Sequence, residues 1–587
     1  MTEDESKLPS YPPPYKVNNG CLHCEVRTRN GSTDQKLCNF LPYIVSELTI
    51  DDGAEVNRRL RLGGFRCSGL PLPEIEITGS ELGSFNWLID KWGADCVLEI
   101  GQSVRDSVRY AIQMTATDAQ RQTIYAVTGW KKVGGVWRFL MPGDDEQTVQ
   151  LPDKLSHYRR AETIDPAAFH VAAALLDQPP APKEAIWPLL AFTFLTPLNH
   201  FLRAANCEPK FVLLLSGRTG TRKSTLAALF LSFFGSFTAS EMPMSFRDTA
   251  NSITYNAFTL KDVLTCIDDF HPCGRQEEQK LSATAQAIMR AYGDRTGRGR
   301  LRADATPMAS RPPRGNAIIT AEFAPDIGES GTARLFTTEL RPGDVELELL
   351  SAYQAEAARG ALQSCMLAYT EWICRKFLCD EETEASFLSL LRRWFEDWRD
   401  DFRKGGILCH GRLPEIVAWF QIGMKMFLWF LLDQHIVEEE LMEDIVAAFS
   451  SLLYGLARKQ ARSIEQDKPA VIFVRKFFAL LESGQVRTIP RDAPAHMFSK
   501  DVVGFEDDCF YYLLNDAAHR AVKKLCEDQD ELFSISSRSL PKALADEGLV
   551  ECVGGENTRS IRFHGGTKRV VCLHKEKAKQ LAEGAMV

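Results

Sequence analysis

The sequence predicts a multidomain α/β protein with a buried parallel sheet in its central part. Three short apolar runs, at residues 211–215, 263–267 and 317–320, alternate with helical patterns, as is typical of parallel strands that are covered on both faces. The chain has 587 residues, a length that predicts three or four domains at roughly 150 residues each. Hydrophobic residues at 45% and charged residues at 25% exclude wholesale disorder and fibrous repeats.

Shifts in pattern along the chain divide it into six segments. The first is acidic and then rich in proline, the second has short alternating stretches with one helical stretch, and the third ends in QPPAP. The last shows two helical patterns followed by a β-hairpin, which is the order of a winged helix. The predicted segments are a flexible lead at 1–16, an α+β domain at 17–158, a helical linker at 159–182, an α/β domain at 183–345, a helical region at 346–460 and a winged-helix-like domain at 461–587.

Charge and cysteine content limit the classes of partner and compartment. With 69 Lys and Arg against 78 Asp and Glu the net charge is −9, so any nucleic-acid contact has to come from local basic patches. The 16 cysteines are scattered, which favours a reduced, cytoplasmic location. No export signal or membrane segment is expected, because the apolar stretches at 186–202 and 419–432 are short and carry polar residues. We expect both to be buried helices.

The strongest local pattern is a glycine-rich loop, SGRTGTRKST, between a predicted strand and a predicted helix. It matches the phosphate-binding pattern G-x-x-x-x-G-K-S/T at every fixed position except one, where Arg222 replaces the second glycine. Backbone N–H groups and the helix N-terminus would form an anion cradle, with Lys223 at the β- and γ-phosphates and Ser224 on Mg²⁺. ATP and Mg²⁺ are therefore the predicted cofactors. The residues predicted to line the nucleotide are Gly217, Arg218, Thr219, Gly220, Thr221, Arg222, Lys223, Ser224 and Thr225.

A chance match in a loop rich in small polar residues is the alternative interpretation of this pattern. Arg222 carries a steric cost if its position requires a positive φ. The strand before the loop and the helix after it favour the phosphate site.

Two acidic residues at the end of the second apolar run, CIDDFHP, supply the carboxylate that Mg²⁺ needs. We assign Asp268 to the metal and Asp269 to the attacking water; a pair of aspartates that caps a turn is the alternative. Thr320 ends the third run and would contact the γ-phosphate or its attacking water, unless it is an ordinary strand residue. Arg334 follows GESGT and would reach a nucleotide on a neighbouring subunit, with a surface salt bridge as the alternative.

A run of arginine and glycine between the second and third strands is the densest positive stretch of this acidic chain. Arginines with flexible glycines suit contacts to nucleic-acid phosphates that do not read sequence. Some of these side chains could instead bind nucleotide or form salt bridges between subunits. The predicted nucleic-acid contacts are Arg295, Arg298, Arg300 and Arg302. The C-terminal segment is also basic, and a winged helix there would bind either duplex DNA or another protein.

Several stretches resemble a known family. NFLPYIVSEL, WLIDKWG and TGWKKVGGVWRFL resemble the domain of unknown function 927 of bacterial mobile elements, phages and plasmids. SGRTGTRKSTLAALFLSFFG, FRDTANSI, CIDDFHP, the arginine run and SGTARLF follow in that family's order. The resemblance covers most of residues 17–345 and, more loosely, the rest. The 183–345 segment is similar to AAA+ helicases of the minichromosome-maintenance-like kind.

That likeness implies roles for individual residues. Gly217, Gly220, Lys223 and Ser224 would form Walker A, and Asp268 with Asp269 would form Walker B. Thr320 takes the sensor-1 place and Arg334 that of the finger acting in trans.

The resemblance implies an ATP-dependent DNA helicase or translocase of a mobile element or phage. It would assemble into a ring, expected to be a hexamer, with a single strand in the channel and ATP between subunits. An AAA+ ATPase that regulates or remodels protein without unwinding is one alternative. A DNA-binding replication initiator without turnover is the other. The choice between DNA and RNA and the polarity of movement stay open.

Overall fold

A computed structural model describes the chain at residues 8–28, 31–144, 146–271, 275–297, 299, 306–307, 309–325, 327, 331–405, 411–466, 468–494, 497–529, 531, 533, 535–552, 556–563 and 566–584. The chain forms two compact units. The first comprises residues 1–162 and 298–311, and the second comprises residues 163–297 and 312–587. Arg311, near the end of the arginine run, therefore belongs to the first unit.

The first unit is an α+β structure built on a mixed five-stranded sheet, a three-stranded antiparallel sheet and a two-stranded hairpin. The five-stranded sheet has the order β10-β7-β4-β5-β6 and the smaller sheet the order β1-β2-β3. Helices α1 (Gly79–Ser84) and α2 (Gln102–Met114) accompany them. The strands are β1 (Tyr15–Asn18), β2 (Cys21–Thr28), β3 (Gly31–Cys38), β4 (Phe40–Asp51), β5 (Val56–Arg66), β6 (Pro71–Thr78), β7 (Gln120–Tyr125), β8 (Gly129–Val133), β9 (Val136–Leu140) and β10 (Thr148–Val149).

The predicted flexible lead is wrong for residues 8–16. Tyr11 and Tyr15 are each 8% exposed and belong to the core of the first unit. The Tyr11 hydroxyl donates to the carbonyl oxygen of Pro42 at 2.7 Å, and Tyr15 begins β1. Two aromatic rings bury enough apolar surface to fix this proline-rich stretch, an effect that its extended pattern does not reveal. Residues 1–7 lie outside the described part of the chain.

A parallel five-stranded sheet organises the second unit, with the order β12-β13-β14-β11-β15. Its strands are β11 (Val212–Gly217), β12 (Met244–Ser245), β13 (Leu264–Phe270), β14 (Asn316–Ala321) and β15 (Leu335–Leu340). Every neighbouring pair is parallel. All residues of β11 and β14 are buried, which explains why these strands are continuous apolar runs. The three predicted strands are confirmed.

Helices cover this sheet and continue beyond it. Up to β15 they are α3 (Ala167–Asp177), α4 (Lys183–Leu195), α5 (Asn199–Ala204), α6 (Lys223–Leu231), α7 (Ala250–Thr259) and α8 (Arg275–Asp294). The region predicted as helical contains α9 (Leu347–Ala358), α10 (Ala361–Phe377), α11 (Glu381–Lys404), α12 (Leu413–Asp433) and α13 (Glu439–Gln466).

Two segments among the described residues, Lys183–Ala204 and Leu413–Asp433, are long and apolar enough to cross a membrane by composition alone. Their most apolar windows are 94% and 78% buried within the protein. They pack as core helices, as predicted, and the Phe194 and Phe427 rings stack with their centroids 4.0 Å apart.

The C-terminal part contains a five-stranded sheet of order β16-β17-β18-β20-β19 with its own two hydrophobic clusters. Its elements are α14 (Pro469–Glu482), β16 (Arg487–Pro490), β17 (Val502–Glu506), β18 (Phe510–Leu513), α15 (Asn515–Asp528), α16 (Leu540–Asp546), β19 (Arg559–Phe563), β20 (Gly566–His574) and α17 (Lys575–Ala582). The two predicted helices and the hairpin are present. The hairpin joins a larger sheet instead of standing alone, and the winged-helix assignment stays a prediction.

The contact between α4 and α12 depends on a glycine. A Cβ at Gly423 would lie 2.1 Å from the carbonyl oxygen of Ala191 and 2.9 Å from the Cβ of Leu195. We expect Gly423→Ala to separate the two helices and to destabilise the protein by about 1–3 kcal/mol. Thermal unfolding should show a lower midpoint for this variant.

Gly455→Ala is the matched control, because Gly455 is exposed on α13 and a Cβ there meets no atom within 4 Å. Alanine should stabilise that helix by about 0.5–1 kcal/mol. A Gly423→Ala midpoint at or above the unsubstituted value would contradict the close packing.

Candidate nucleotide site

The strand order places the predicted site residues at one edge of the parallel sheet. β14 lies between β11 and β13 and pairs with both. The carboxyl ends of these three strands therefore carry the glycine-rich loop, Thr320 and the two aspartates side by side. This edge is where ligands bind in open parallel α/β sheets.

The loop from Arg218 to Arg222 connects β11 to α6 and holds its own shape. The Thr221 hydroxyl donates to the carbonyl oxygen of Arg218 at 2.8 Å. Gly217 allows a close approach at the strand end, since a Cβ there would lie 2.4 Å from the carbonyl oxygen of Leu340. The loop ends directly at the α6 N-terminus, where free N–H groups and the helix dipole favour an anion.

Arg222 adopts the left-handed conformation, with φ 64° and ψ 24°. The steric cost expected from the sequence is therefore present, at about 1–2 kcal/mol for a residue with a Cβ. The loop nevertheless takes up this geometry with arginine in place of glycine.

Lys223 folds over the loop. Its ammonium donates to the carbonyl oxygen of Gly217 at 2.6 Å and to that of Arg218 at 3.1 Å. Burial lowers the pKa of Lys223, and the carboxylates of Glu322, Asp268 and Asp269 oppose that shift. A cation held by carbonyl oxygens at the mouth of the loop is suited to an incoming phosphate.

Ser224, Asp268 and Thr320 form one hydrogen-bond network. The Ser224 hydroxyl donates to Oδ1 of Asp268 at 2.7 Å, and the Thr320 hydroxyl donates to the same oxygen at 2.5 Å. Thr320 is 1% exposed, so the network anchors the carboxylate from inside the sheet. It joins the first turn of α6 to the ends of β13 and β14.

Asp269 has an unusual backbone. Its φ is 65°, and the pairing of β13 with β14 shifts register between Ile267 and Phe270. Its N–H donates to the Thr320 hydroxyl at 3.0 Å. Its carboxylate is 48% exposed and lies 3.5 Å from Nη2 of Arg247. A residue with a Cβ held in this conformation at a strand end marks a site where the fold stores strain.

Two side chains that the sequence did not single out, Glu322 and His271, also lie at this edge. Glu322 follows β14, accepts a hydrogen bond from the Thr219 hydroxyl and lies 2.9 Å from Nδ1 of His271. Thr219 was predicted to line the nucleotide, but not to contact Glu322. Their positions in the sequence could have indicated them, because Glu322 lies two residues after Thr320 and His271 lies two residues after Asp269.

Oxygen ligands for Mg²⁺ are brought together by the network. The Ser224 hydroxyl and the Asp268 carboxylate are 2.7 Å apart, and both are ligand types that Mg²⁺ accepts. Mg²⁺ commonly takes one or two protein oxygens and completes its shell with phosphates and water. These two residues fit that pattern.

Arg334 lies in an internal ion pair instead of projecting as a finger. It is 12% exposed and its guanidinium donates to both carboxylate oxygens of Asp294, at 2.9 and 3.1 Å. Arg412 donates to the same carboxylate at 3.0 Å. Burial raises the pKa of Asp294, but the hydrogen bonds from Arg334 and Arg412 outweigh it and hold that pKa below its ordinary value.

Arg295, predicted as a nucleic-acid contact, has a structural role. Its side chain is 4% exposed and donates to the carbonyl oxygens of Pro209, Pro313 and Gly315 and to Oδ1 of Asn316. A guanidinium whose donors are used inside the protein is not available to a phosphate, and the prediction for Arg295 is corrected. The other predicted contacts, Arg298, Arg300 and Arg302, lie outside the described residues.

Comparison with solved structures gives the fold. The chain is similar over 97% of its length to 98% of the chain in the structure titled "SCCmec type IV Cch - active helicase", with 14% identity and a TM-score of 0.58. At this identity the likeness shows the fold alone, and nearly the whole chain shares it.

Two further structures are matched at TM-scores too low to carry an argument. One is the C-terminal region of NrS-1, at 0.25 with 11% identity, covering 76% of this chain and 93% of that one. The other is a JCV helicase with a small molecule bound, at 0.21 with 14% identity, covering 49% of this chain and 72% of that one. No family model and no curated protein matches the chain, so the likeness to domain 927 and to minichromosome-maintenance-like helicases stays a resemblance.

Thr320→Val tests the network directly. Valine keeps the shape of the side chain but leaves Oδ1 of Asp268 and the N–H of Asp269 without this partner, a loss of about 1–3 kcal/mol. We expect the thermal midpoint to fall with valine and to stay near the original with Thr320→Ser.

Thr338→Val is the control, because Thr338 is equally buried on β15 of the same sheet, and its hydroxyl makes a long bond of 3.4 Å to the carbonyl oxygen of Leu214. If the two valine variants lose the same stability, Thr320 is an ordinary strand residue.

Proposed function

We propose that this chain is a P-loop ATPase that acts as a helicase or translocase on nucleic acid. The observation that carries the proposal is the convergence of Ser224, Asp268 and Thr320 at the loop between β11 and α6. The shared fold with a helicase structure over 97% of the chain supports the class of motor. The resemblance of the sequence to mobile-element and phage proteins supports the same class.

Different residues at the loop would hold different parts of ATP. Backbone N–H groups of the loop and of the α6 N-terminus would bind phosphate oxygens, and Lys223 would leave its carbonyl partners for the β- and γ-phosphates. Ser224 and Asp268 would hold Mg²⁺, which would neutralise phosphate charge when bound. For the attacking water the sequence nominates Asp269, and the structure brings a second carboxylate, Glu322, to the same edge.

Assembly into a ring, taken as a hexamer, is part of the proposal. A ring repeats one local basic patch around a channel, so a chain of net charge −9 can still hold a single strand. Arg334 would have to leave Asp294 to reach a nucleotide on a neighbouring subunit. The C-terminal sheet and helices are the proposed place for duplex contact.

Lys223→Ala tests the ATPase. Removing the ammonium takes away the charge that would meet the phosphates, and we expect steady-state ATP hydrolysis with Mg²⁺ to fall by about 100-fold or more. Circular dichroism should show an unchanged fold.

Lys210→Ala provides the control, since Lys210 is an exposed lysine just before β11, at the opposite end of that strand. It should hydrolyse ATP at the normal rate. Hydrolysis that persists in Lys223→Ala would remove the site from this loop.

The proposed strand contact is tested by replacing Arg298, Arg300 and Arg302 with alanine together. Affinity for single-stranded DNA should fall. If all three arginines contact phosphates, the slope of log K against log salt concentration should become less negative by about 2. Fluorescence anisotropy across a salt series measures both quantities.

The control for net charge changes an equal number of exposed arginines, on helices or just after one, to alanine together: Arg359, Arg375 and Arg392. An unchanged slope in the first variant would place the polymer contact elsewhere. ATP hydrolysis that does not rise with single-stranded DNA would favour a remodelling or regulatory ATPase over a translocase.

A further inference from the structure

Glu322 contacts the glycine-rich loop but is not among the residues that the sequence predicts for the ATP site. It follows the end of β14, two residues after Thr320, and its side chain is 25% exposed. One carboxylate oxygen accepts a hydrogen bond from the hydroxyl of Thr219 in the loop. Glu322 is thus held directly at the segment that would surround the terminal phosphate.

His271 fixes the other side of this carboxylate. Its Nδ1 lies 2.9 Å from Oε2 of Glu322, and it enters from the chain that follows β13. Three loops, after β11, β13 and β14, therefore supply Thr219, His271 and Glu322. A carboxylate with both oxygens engaged from different elements has a defined orientation.

The charge of Glu322 lies close to the predicted phosphate position, because its hydrogen-bond partner Thr219 is part of the glycine-rich loop. A fixed negative charge so close to bound phosphates would repel them. Such a position is useful when the carboxylate acts on the attacking water, because it can accept a proton as the phosphoryl group is transferred.

The two aspartates are engaged elsewhere. Oδ1 of Asp268 already accepts hydrogen bonds from Ser224 and Thr320. The Asp269 carboxylate is 48% exposed, about twice as much as that of Glu322, and its ion-pair partner Arg247 is 87% exposed. The loop contact and the lower exposure favour Glu322 for a reaction from which bulk water has to be excluded.

We propose that Glu322, and not Asp269, is the catalytic base of ATP hydrolysis, and that His271 is its positioning residue. The inference rests on the proposed ATPase function. The water oxygen bonds to the γ-phosphorus, the bond from that phosphorus to the bridging oxygen of ADP breaks, and its electron pair stays on ADP. Glu322 accepts one proton of the water and later releases it to solvent.

Glu322→Gln tests this assignment by removing the basic oxygen at nearly constant size. ATP affinity, measured with a fluorescent ATP analogue and Mg²⁺, should be retained, while single-turnover hydrolysis falls by about 100-fold or more. Asp269→Asn should lose less than Glu322→Gln. Glu339→Gln is the matched control, since Glu339 is a half-exposed glutamate near the end of β15 in the same sheet, paired with Lys459.

Each result distinguishes the two proposals. Hydrolysis near the normal rate in Glu322→Gln, or a larger loss in Asp269→Asn, overturns the assignment of the base while leaving the ATPase intact. An unsubstituted protein that binds no ATP and releases no phosphate overturns the ATPase itself and the base with it. If the glutamine variant does not fold, Glu322→Asp withdraws the carboxylate by one methylene, and normal turnover in that variant equally overturns the proposal.

A conservative variant of His271 distinguishes a positioning role from a purely structural one. His271→Leu should lower the single-turnover rate by about 5- to 10-fold, as expected for one lost hydrogen bond, with ATP affinity unchanged. His271→Asn keeps an N–H near the position of Nδ1 and should restore most of the rate. Equal rates in the two variants would remove the positioning role.

Discussion

One carboxylate oxygen ties together the edge of the sheet on which the site depends. Oδ1 of Asp268 accepts hydrogen bonds from Ser224 on α6 and from Thr320 on β14, so α6, β13 and β14 are held at fixed spacing. Because Thr320 also accepts the N–H of Asp269, the same hydroxyl sets the backbone of the residue that follows. A ligand that displaced Ser224 would therefore also affect the ends of β13 and β14, because hydrogen bonds of 2.5 to 3.0 Å connect them.

The parts of this site that could be predicted from the sequence are those whose chemistry is local. A loop of small residues before Lys223 and two acids after an apolar run are recognisable because backbone geometry and metal ligation demand those residue types in that order. Arg222 could be recognised as a strained position for the same reason, and its φ of 64° agrees. Thr320 could be placed because strand ends of a parallel sheet share one edge.

Glu322 and the buried arginines could not be predicted, because their roles depend on contacts between distant parts of the chain. Nothing in ITAEF distinguishes Glu322 until Thr219 and His271 are beside it. Similarly, a dense run of arginines indicates charge but not exposure. Arg295 has the composition of a phosphate contact and the environment of a core residue, since main-chain carbonyls use its donors.

The burial of Arg295 limits which residues of the arginine run can contact a polymer. Its guanidinium donates to the carbonyl oxygens of Pro313 and Gly315, which lie at the far end of the run, so this side chain links residue 295 to residues 313 and 315. At the far end Arg314 is 6% exposed, and its Nε donates to the carbonyl oxygen of Phe258 at 2.7 Å. Arg311, by contrast, packs within the first unit, 2.8 Å from Asp52. Because these three arginines are engaged inside the protein, they are not available to a polymer, and the candidates left in this run are the exposed Arg290 and the predicted contacts Arg298, Arg300 and Arg302.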